Sequence, residues 1–242
     1  MKRSNFIKLF LALLNFPSIT KGIYNNNDLE NLLIGKRTPL LVGSKFLLLP
    51  EVAKAYIEMK KNAEKENIKL KIVSSYRSFN HQKKIWNKKY KKNVEIGLSP
   101  NESIKKIIQY STIPGTSRHH WGTDMDLIDS QHEVEGDVLI TKLFEKSGPY
   151  YKMNQWMDAN AKNFGFYKVY TNEMNRKGFL YEPWHYSYAN ISSNFLDLFL
   201  KIDILKILKK EENLLGKKFF NKSFIDKYIK ENILGISEKL LK

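Results

Sequence analysis

The sequence predicts an α+β fold: a small, mostly antiparallel sheet with flanking helices, followed by a helical C-terminal extension. Three observations carry this. Short alternating segments rich in β-branched or aromatic residues, "IKLKIVSS" and "GFLYEPWHYSY", are separated by stretches with apolar residues at helical spacing. From Asn194 onward the chain is lysine-rich and helical in period, with no strand pattern. The 242 residues, 42% apolar and 13% aromatic, are enough for one substantial core plus an appendage, and exclude a disordered chain.

Taken in order, "MKRSNFIKLFLALLNFPSIT" has basic Lys2 and Arg3, then an apolar run from Phe6 to Phe16 interrupted by Lys8. Its length suits a signal-peptide core better than a membrane span, although no small-x-small cleavage site follows. Residues 1–22 therefore read as a signal peptide, with an amphipathic N-terminal helix as the alternative. The first places the protein in the periplasm or cell envelope, the second in the cytoplasm. Residues 23–37, with the run Asn25 to Asn27, read as a polar linker or arm. The main domain spans 38–192. It opens with an extended segment, "TPLLVGSKFLLLP", and a helix carrying Val52, Ala55, Tyr56 and Met59. The strand "IKLKIVSS" follows, then a helix over "FNHQKKIWNKKYKKN" and another from Ser103 to Gln109, closed by Pro114-Gly115. A loop runs to Gly122, then a strand across Thr123 to Ile128. Residues 140–164 read as helix with a break near Gly148-Pro149, and the aromatic segment ending at Tyr188 reads as a strand. Residues 193–242 form the helical extension.

Composition narrows the chemistry. The chain has no cysteine, which excludes disulfides, cysteine-ligated zinc, a thiol nucleophile and a lipid-modified cysteine. Lys and Arg number 41 against 25 Asp and Glu, a formal net charge of +16. Such a surface attracts nucleic acid, anionic lipid or an anionic wall polymer. The excess is mostly lysine spread along helices, without an arginine-rich patch or an RNA-binding signature, so it reads as solvated faces and no nucleic-acid partner is expected. No segment beyond the N-terminal one is long and apolar enough to span a bilayer, so no membrane span is expected after processing.

The stretch "SRHHWGTDMDLID", residues 117–129, concentrates the reactive residue types. In a strand, Asp124 and Asp126 share one face while Met125 and Leu127 share the other, which enters the core. Buried carboxylates need a cation or strong donors. A histidine of the preceding loop supplies a second ligand to such a cation. His81 and His132 lie in polar surroundings without pattern. His185 lies in "EPWH", three residues after Glu182. Two histidines and a carboxylate leave an open zinc position for water, and a separate carboxylate then takes the water's proton.

"SRHHWGTDMD" fits Ser-x-His-x-x-Gly-x-x-x-Asp and "EPWH" fits Glu-x-x-His. Together they resemble the zinc D-alanyl-D-alanine carboxypeptidases of the VanY type, within the lysostaphin, D-Ala-D-Ala metallopeptidase and hedgehog superfamily. "SSYRSFNHQKKIW" lies upstream and is similar to that family's substrate-binding segment. The likeness runs from about Thr38 to Tyr188, with the three blocks in the family's order. It implies a hedgehog/D-Ala-D-Ala peptidase-like fold and one Zn2+ ion on His119, Asp126 and His185, with Glu182 as general base. Arg77 would bind and polarise the substrate, while Gln82 and Ser117 would bind the peptide by hydrogen bonds. Tyr76 is a further substrate-side residue that more often packs beside the site. His120 packs or binds substrate. Arg118 reads as a solvated loop arginine, with a substrate contact as the alternative, and Trp184 as a core aromatic, with a wall of the substrate cleft as the alternative. The chain departs from the pattern at Asp124, where a small residue is common, and at Ser187, where some relatives carry a second histidine. Asp124 either tunes the metal or contacts substrate. In a regular strand Glu182 and His185 would face opposite ways, and Pro183 suggests the bend that reunites them.

The implied function is removal of terminal D-alanine from peptidoglycan stem peptides, with those peptides as the substrate partner. The alternatives are an L,D-carboxypeptidase or wall endopeptidase of the same superfamily, and a non-catalytic basic module that binds wall polymer or nucleic acid.

Overall fold

The computed structural model describes residues 26–242. The segment 1–22, with its expected export signal, lies outside them. Four strands, β1 (Leu70–Ser74), β2 (Asp124–Asp129), β3 (Phe166–Lys168) and β4 (His185–Tyr188), form one antiparallel sheet in the order β1-β2-β4-β3. Around it lie helices α1 (Asn26–Leu33), α2 (Pro50–Glu64), α3 (Phe79–Glu95), α4 (Pro100–Ile107) and α5 (Tyr151–Asn160). The C-terminal part adds α6 (Ala189–Phe199), α7 (Ile204–Lys210) and α8 (Lys222–Tyr228). The small antiparallel sheet with flanking helices is the fold the sequence predicts. No described helix is long and apolar enough to cross a membrane.

Local chemistry explains the elements that position the site. Strand β2 is buried at all six positions, so both its faces are covered. Met125 and Leu127 enter the core, and Asp124 and Asp126 take the opposite face, as alternation requires. Across the ladder Asp124 pairs with Ser187 and Asp126 with His185, which sets these four side chains together. On the other side the β1–β2 register slips: Ile72 faces Leu127 but Ser74 faces Asp126, leaving Val73 as an extra residue. Such a bulge ends the regular strand and re-aims the residues after it, here Ser75 to Arg77. Helix α3 then starts at Ser78, whose hydroxyl accepts from the His81 N–H. A capping box of Ser99 and Glu102, with Pro100 in the first turn, starts α4.

Three expectations change. The segment 23–37 is not only a linker: 26–33 is helical, and Leu32, Leu33 and Ile34 are 1% exposed. The polar run hid an apolar edge too short for a clear period. The stretch 194–210 is two helices, because Asp203 accepts from the Lys206 N–H and begins α7 afresh. Strand β3 was not anticipated, since three residues are too few to display alternation.

The extension packs closely on the domain. Trp86 is fully buried, its indole N–H donates to the Leu215 carbonyl, and its ring meets Phe220 edge-on. Glu211 pairs with both Lys36 and Lys83. The Tyr228 hydroxyl accepts from the Ile113 N–H at 3.1 Å and lies 2.9 Å from Thr116 Oγ1.

Candidate metal centre

A short 3-10 turn, Arg118–Trp121, precedes β2 and ends at Gly122, which has φ +70°. A side chain there would be strained and would press on Leu41. This turn brings His119 to the start of β2, beside Asp126 and opposite His185, the first residue of β4. Ligand atoms of His119, Asp126 and His185 all lie within 4.8 Å of one another. His119 Nε2 is 3.5 Å from Asp126 Oδ2, and His185 Nδ1 is 4.0 Å from Asp126 Oδ1. Glu182 joins them because the chain turns at Pro183: the His185 N–H donates to the Glu182 carbonyl, and Glu182 Oε2 sits 3.1 Å from His185 Nδ1. The turn overrides the strand alternation that would have separated them.

Each histidine is held by its far nitrogen. His119 Nδ1 is 2.8 Å from the Ser75 carbonyl, which makes it a donor and leaves Nε2 as the free lone pair. His185 Nε2 is 3.1 Å from Asp124 Oδ1, which leaves Nδ1 facing the centre. Asp126 Oδ1 is buried without a hydrogen-bond partner. A stranded carboxylate oxygen beside two imidazole nitrogens is an unmet demand for a cation. Two nitrogens and one oxygen with a fourth side open fit Zn(II).

The charges agree. Burial alone would raise the Asp126 carboxyl, but His119, His185 and Arg77 hold it below the carboxylate range. Burial and the nearby Arg77 charge lower His119 to about 4 and so keep it neutral. Burial would also lower His185, yet its bonds to Asp124 and Glu182 and the surrounding carboxylates raise it to about 9. The Glu182 carboxyl is pushed above its ordinary value by burial, against the His185 bond.

These groups line a cleft of about 600 Å3, which Arg77, Ser117, Tyr170 and Trp184 also line. Arg77 Nη2 reaches Asp126 Oδ2 at 3.4 Å and Nη1 donates to Gln82 Oε1 at 3.2 Å, while its Nε has no partner. Gln82 is fully buried, and its amide also donates to the Thr112 carbonyl. Each end has one partner, and through its oxygen Gln82 braces Arg77. Tyr76 turns away, donating its hydroxyl to Thr38 Oγ1. Trp184 packs on Phe144 and still lines the cleft.

His120 is neither ligand nor cleft residue. It is fully buried, lies 2.6 Å from the Arg77 carbonyl through Nδ1 and accepts from the Gly115 N–H through Nε2. Burial drives its pKa down to about 3, so it bolts two loops together as a neutral ring. Arg118 contradicts its reading as a solvated arginine: it is 4% exposed and ion-paired with Asp124 at 2.9 Å. Sequence reasoning also missed the Ser75 carbonyl, which no side-chain pattern marks, and Tyr170, whose ring meets His185 edge-on at 5.2 Å. The signal that pointed to Arg118 was Asp124 itself, a carboxylate on a buried face.

Fold and donor set together define a class, a mixed α/β peptidase built on two histidines and a carboxylate. The family model of D-alanyl-D-alanine carboxypeptidase, VanY, matches residues 45–191, and the chain belongs to that family. Among curated proteins it is 32% identical over 106 residues to an uncharacterised protein of Haemophilus influenzae, covering 43% of this chain and 80% of that one. It is 30% identical to the putative carboxypeptidase YodJ of Bacillus subtilis, over 57% of this chain and 45% of that one. It is 26% identical to a D-alanyl-D-alanine carboxypeptidase of Enterococcus faecalis, over 50% and 41%. The chain thus spans less than half the length of the latter two. Among solved structures, VanYB in complex with D-alanine-D-alanine aligns with a TM-score of 0.50 and 19% identity, over 72% of this chain and 88% of that one. A VanY D,D-pentapeptidase variant bound to Zn(II) aligns with the same score and identity, over 67% and 83%.

Proposed function

We propose that this protein is a zinc-dependent D-alanyl-D-alanine carboxypeptidase that removes the terminal D-alanine from peptidoglycan stem peptides, acting outside the cytoplasmic membrane. The observation that carries the reading is the meeting, at one wall of the cleft, of three donors around a stranded Asp126 oxygen with one further carboxylate and one guanidinium. His119 Nε2, Asp126 and His185 Nδ1 would hold the ion, which when bound supplies a Lewis acid and acidifies a water. Glu182 accepts the proton of the attacking water and returns it to the leaving amine. Its burial suits this work, because a raised pKa makes the carboxylate a better base near neutral pH. Arg77, braced by Gln82 and Asp126, lines the cleft and offers its guanidinium as the donor for the scissile carbonyl or the terminal carboxylate. Ser117 lines the same wall.

The test is mass analysis of purified muropeptides after incubation with the enzyme. Loss of one terminal alanine from a pentapeptide is the expected product. A shortened tetrapeptide or a split crosslink would overturn the bond assignment. Glu182→Gln should retain zinc and lose at least ~100-fold in kcat, the scale of a lost general base. Undiminished activity in that variant would remove Glu182 from the mechanism.

A further inference from the structure

We propose that Asp124, clamped by Arg118, is a positioning residue for the metal site: it fixes the His185 ring so that Nδ1, not Nε2, faces the centre. The inference rests on the zinc reading above and extends it to residues outside the ligand set. Asp124 is fully buried. Its Oδ1 receives His185 Nε2 at 3.1 Å and Arg118 Nε at 2.9 Å, and its Oδ2 receives Thr123 Oγ1 at 2.6 Å and Ser187 Oγ at 2.9 Å. Arg118 Nη2 donates to Ser187 Oγ at 2.7 Å, which frees that hydroxyl's own proton for Asp124. The ring of bonds is closed.

This geometry excludes the two other roles open to Asp124. An ionised carboxylate has about four acceptor sites, and all four are taken, so none is left for substrate. Nor is Asp124 among the grouped ligands: it meets His185 on the nitrogen that faces away from His119 and Asp126. A simple ion pair with Arg118 would be satisfied without His185. The histidine contact adds direction. An imidazole whose Nε2–H is held by a carboxylate has one tautomer, a fixed ring plane and a more basic Nδ1. Arg118 in turn cannot swing away, since its guanidinium is 4% exposed and stacks over Trp121 at 4.8 Å. His119 gets the same service from a neutral backbone carbonyl, that of Ser75. The two imidazoles are therefore fixed by partners of different charge, and His185 should depend on its partner more.

The experiment compares wild type, the isosteric Asp124→Asn, and the double variant Asp124→Ala with Arg118→Met, which leaves no buried charge alone. Zinc affinity is measured by competition with a chromophoric chelator. The ring N–H signals of His119 and His185 are followed by 15N NMR in the zinc-loaded proteins. Asp124→Asn should weaken zinc about 10-fold and the double variant about 100-fold, the range for lost outer partners of metal-binding histidines. The His185 Nε2–H signal should broaden or vanish while the His119 Nδ1–H signal stays, which reports an intact fold. Zinc affinity within twofold of wild type with the His185 signal unchanged would overturn the proposal. So would weakening in which both signals disappear together, since that marks general unfolding. Wild type that binds no zinc would overturn both this proposal and the zinc reading. Wild type that binds zinc beside indifferent Asp124 variants would overturn this one alone.

Discussion

His119 and His120 are neighbours in sequence with opposite work. The first keeps a lone pair turned into the cleft, and the second spends both nitrogens on backbone partners. Replacing His120 by Ala would leave the Arg77 carbonyl and the Gly115 N–H unpaired beside a void. We expect a loss of about 2–4 kcal/mol by denaturant titration, from the usual cost of buried unsatisfied groups and cavities. Residual activity should fall through a higher KM, because Arg77 loses its anchor. Gly35 supports the same ring: it has φ +76°, and a Cβ there would collide with the His120 imidazole. Gly35→Ala should therefore be destabilising by an amount a left-handed position alone does not explain, measured as a lower Tm than for Ala at Gly97, an open position of like φ. At this scale the sequence was legible in which side chains meet, since His119, Asp126, Glu182 and His185 come together as the motifs imply. It was silent on the Ser75 carbonyl, which has no residue signature. It also misassigned Arg118, because a loop arginine is solvated unless a distant strand supplies Ser187 and Asp124.

Elements were legible in proportion to their length. Helix α2 has enough turns to show its buried face: Val52, Tyr56 and Met59 lie where the spacing puts them, while Ala55 is only partly buried and Ala53 is buried instead. Strand β3 and helix α1 were too short to show theirs. The turn at Pro183 was foreseen only because two residues with complementary chemistry stood an odd number of positions apart. The extension holds the cleft-side loop through one hydroxyl, since Tyr228 bonds to both Ile113 and Thr116. Tyr228→Phe leaves the buried Ile113 N–H without a partner and should cost about 1–3 kcal/mol, read from denaturant midpoints. Trp86→Ala should cost about 3–5 kcal/mol, because the indole joins helix α3 to the extension at Leu215 and Phe220.

For the whole molecule, the centre joins a loop, two strands and a turn that are far apart in sequence. A ligand that binds only the folded state stabilises it by RT ln(1 + [L]/Kd), about 4 kcal/mol at a thousandfold excess over Kd. Zinc should therefore raise Tm by several degrees, and a chelator should reverse the rise. In His119→Ala the rise should shrink or vanish. A Tm indifferent to zinc in wild type would count against a metal that bridges these elements. The formal charge of +16 does not mark this site: the cleft wall mixes Arg77 and Arg118 with Asp126 and Glu182.

The extra residue in β1 separates two things that usually travel together. Val73 is 37% exposed and contributes little to the core, so the sheet has no packing reason to keep it. Deleting it would restore the ladder between β1 and β2 and give a more regular sheet. It would also draw Ser75 and Arg77 back by one position, reversing which face each addresses and taking the carbonyl from His119 and the guanidinium from Asp126. The irregularity works as a phase setting, an added count in the chain that keeps the loop in step with the cleft, and any redesign for regularity would erase it.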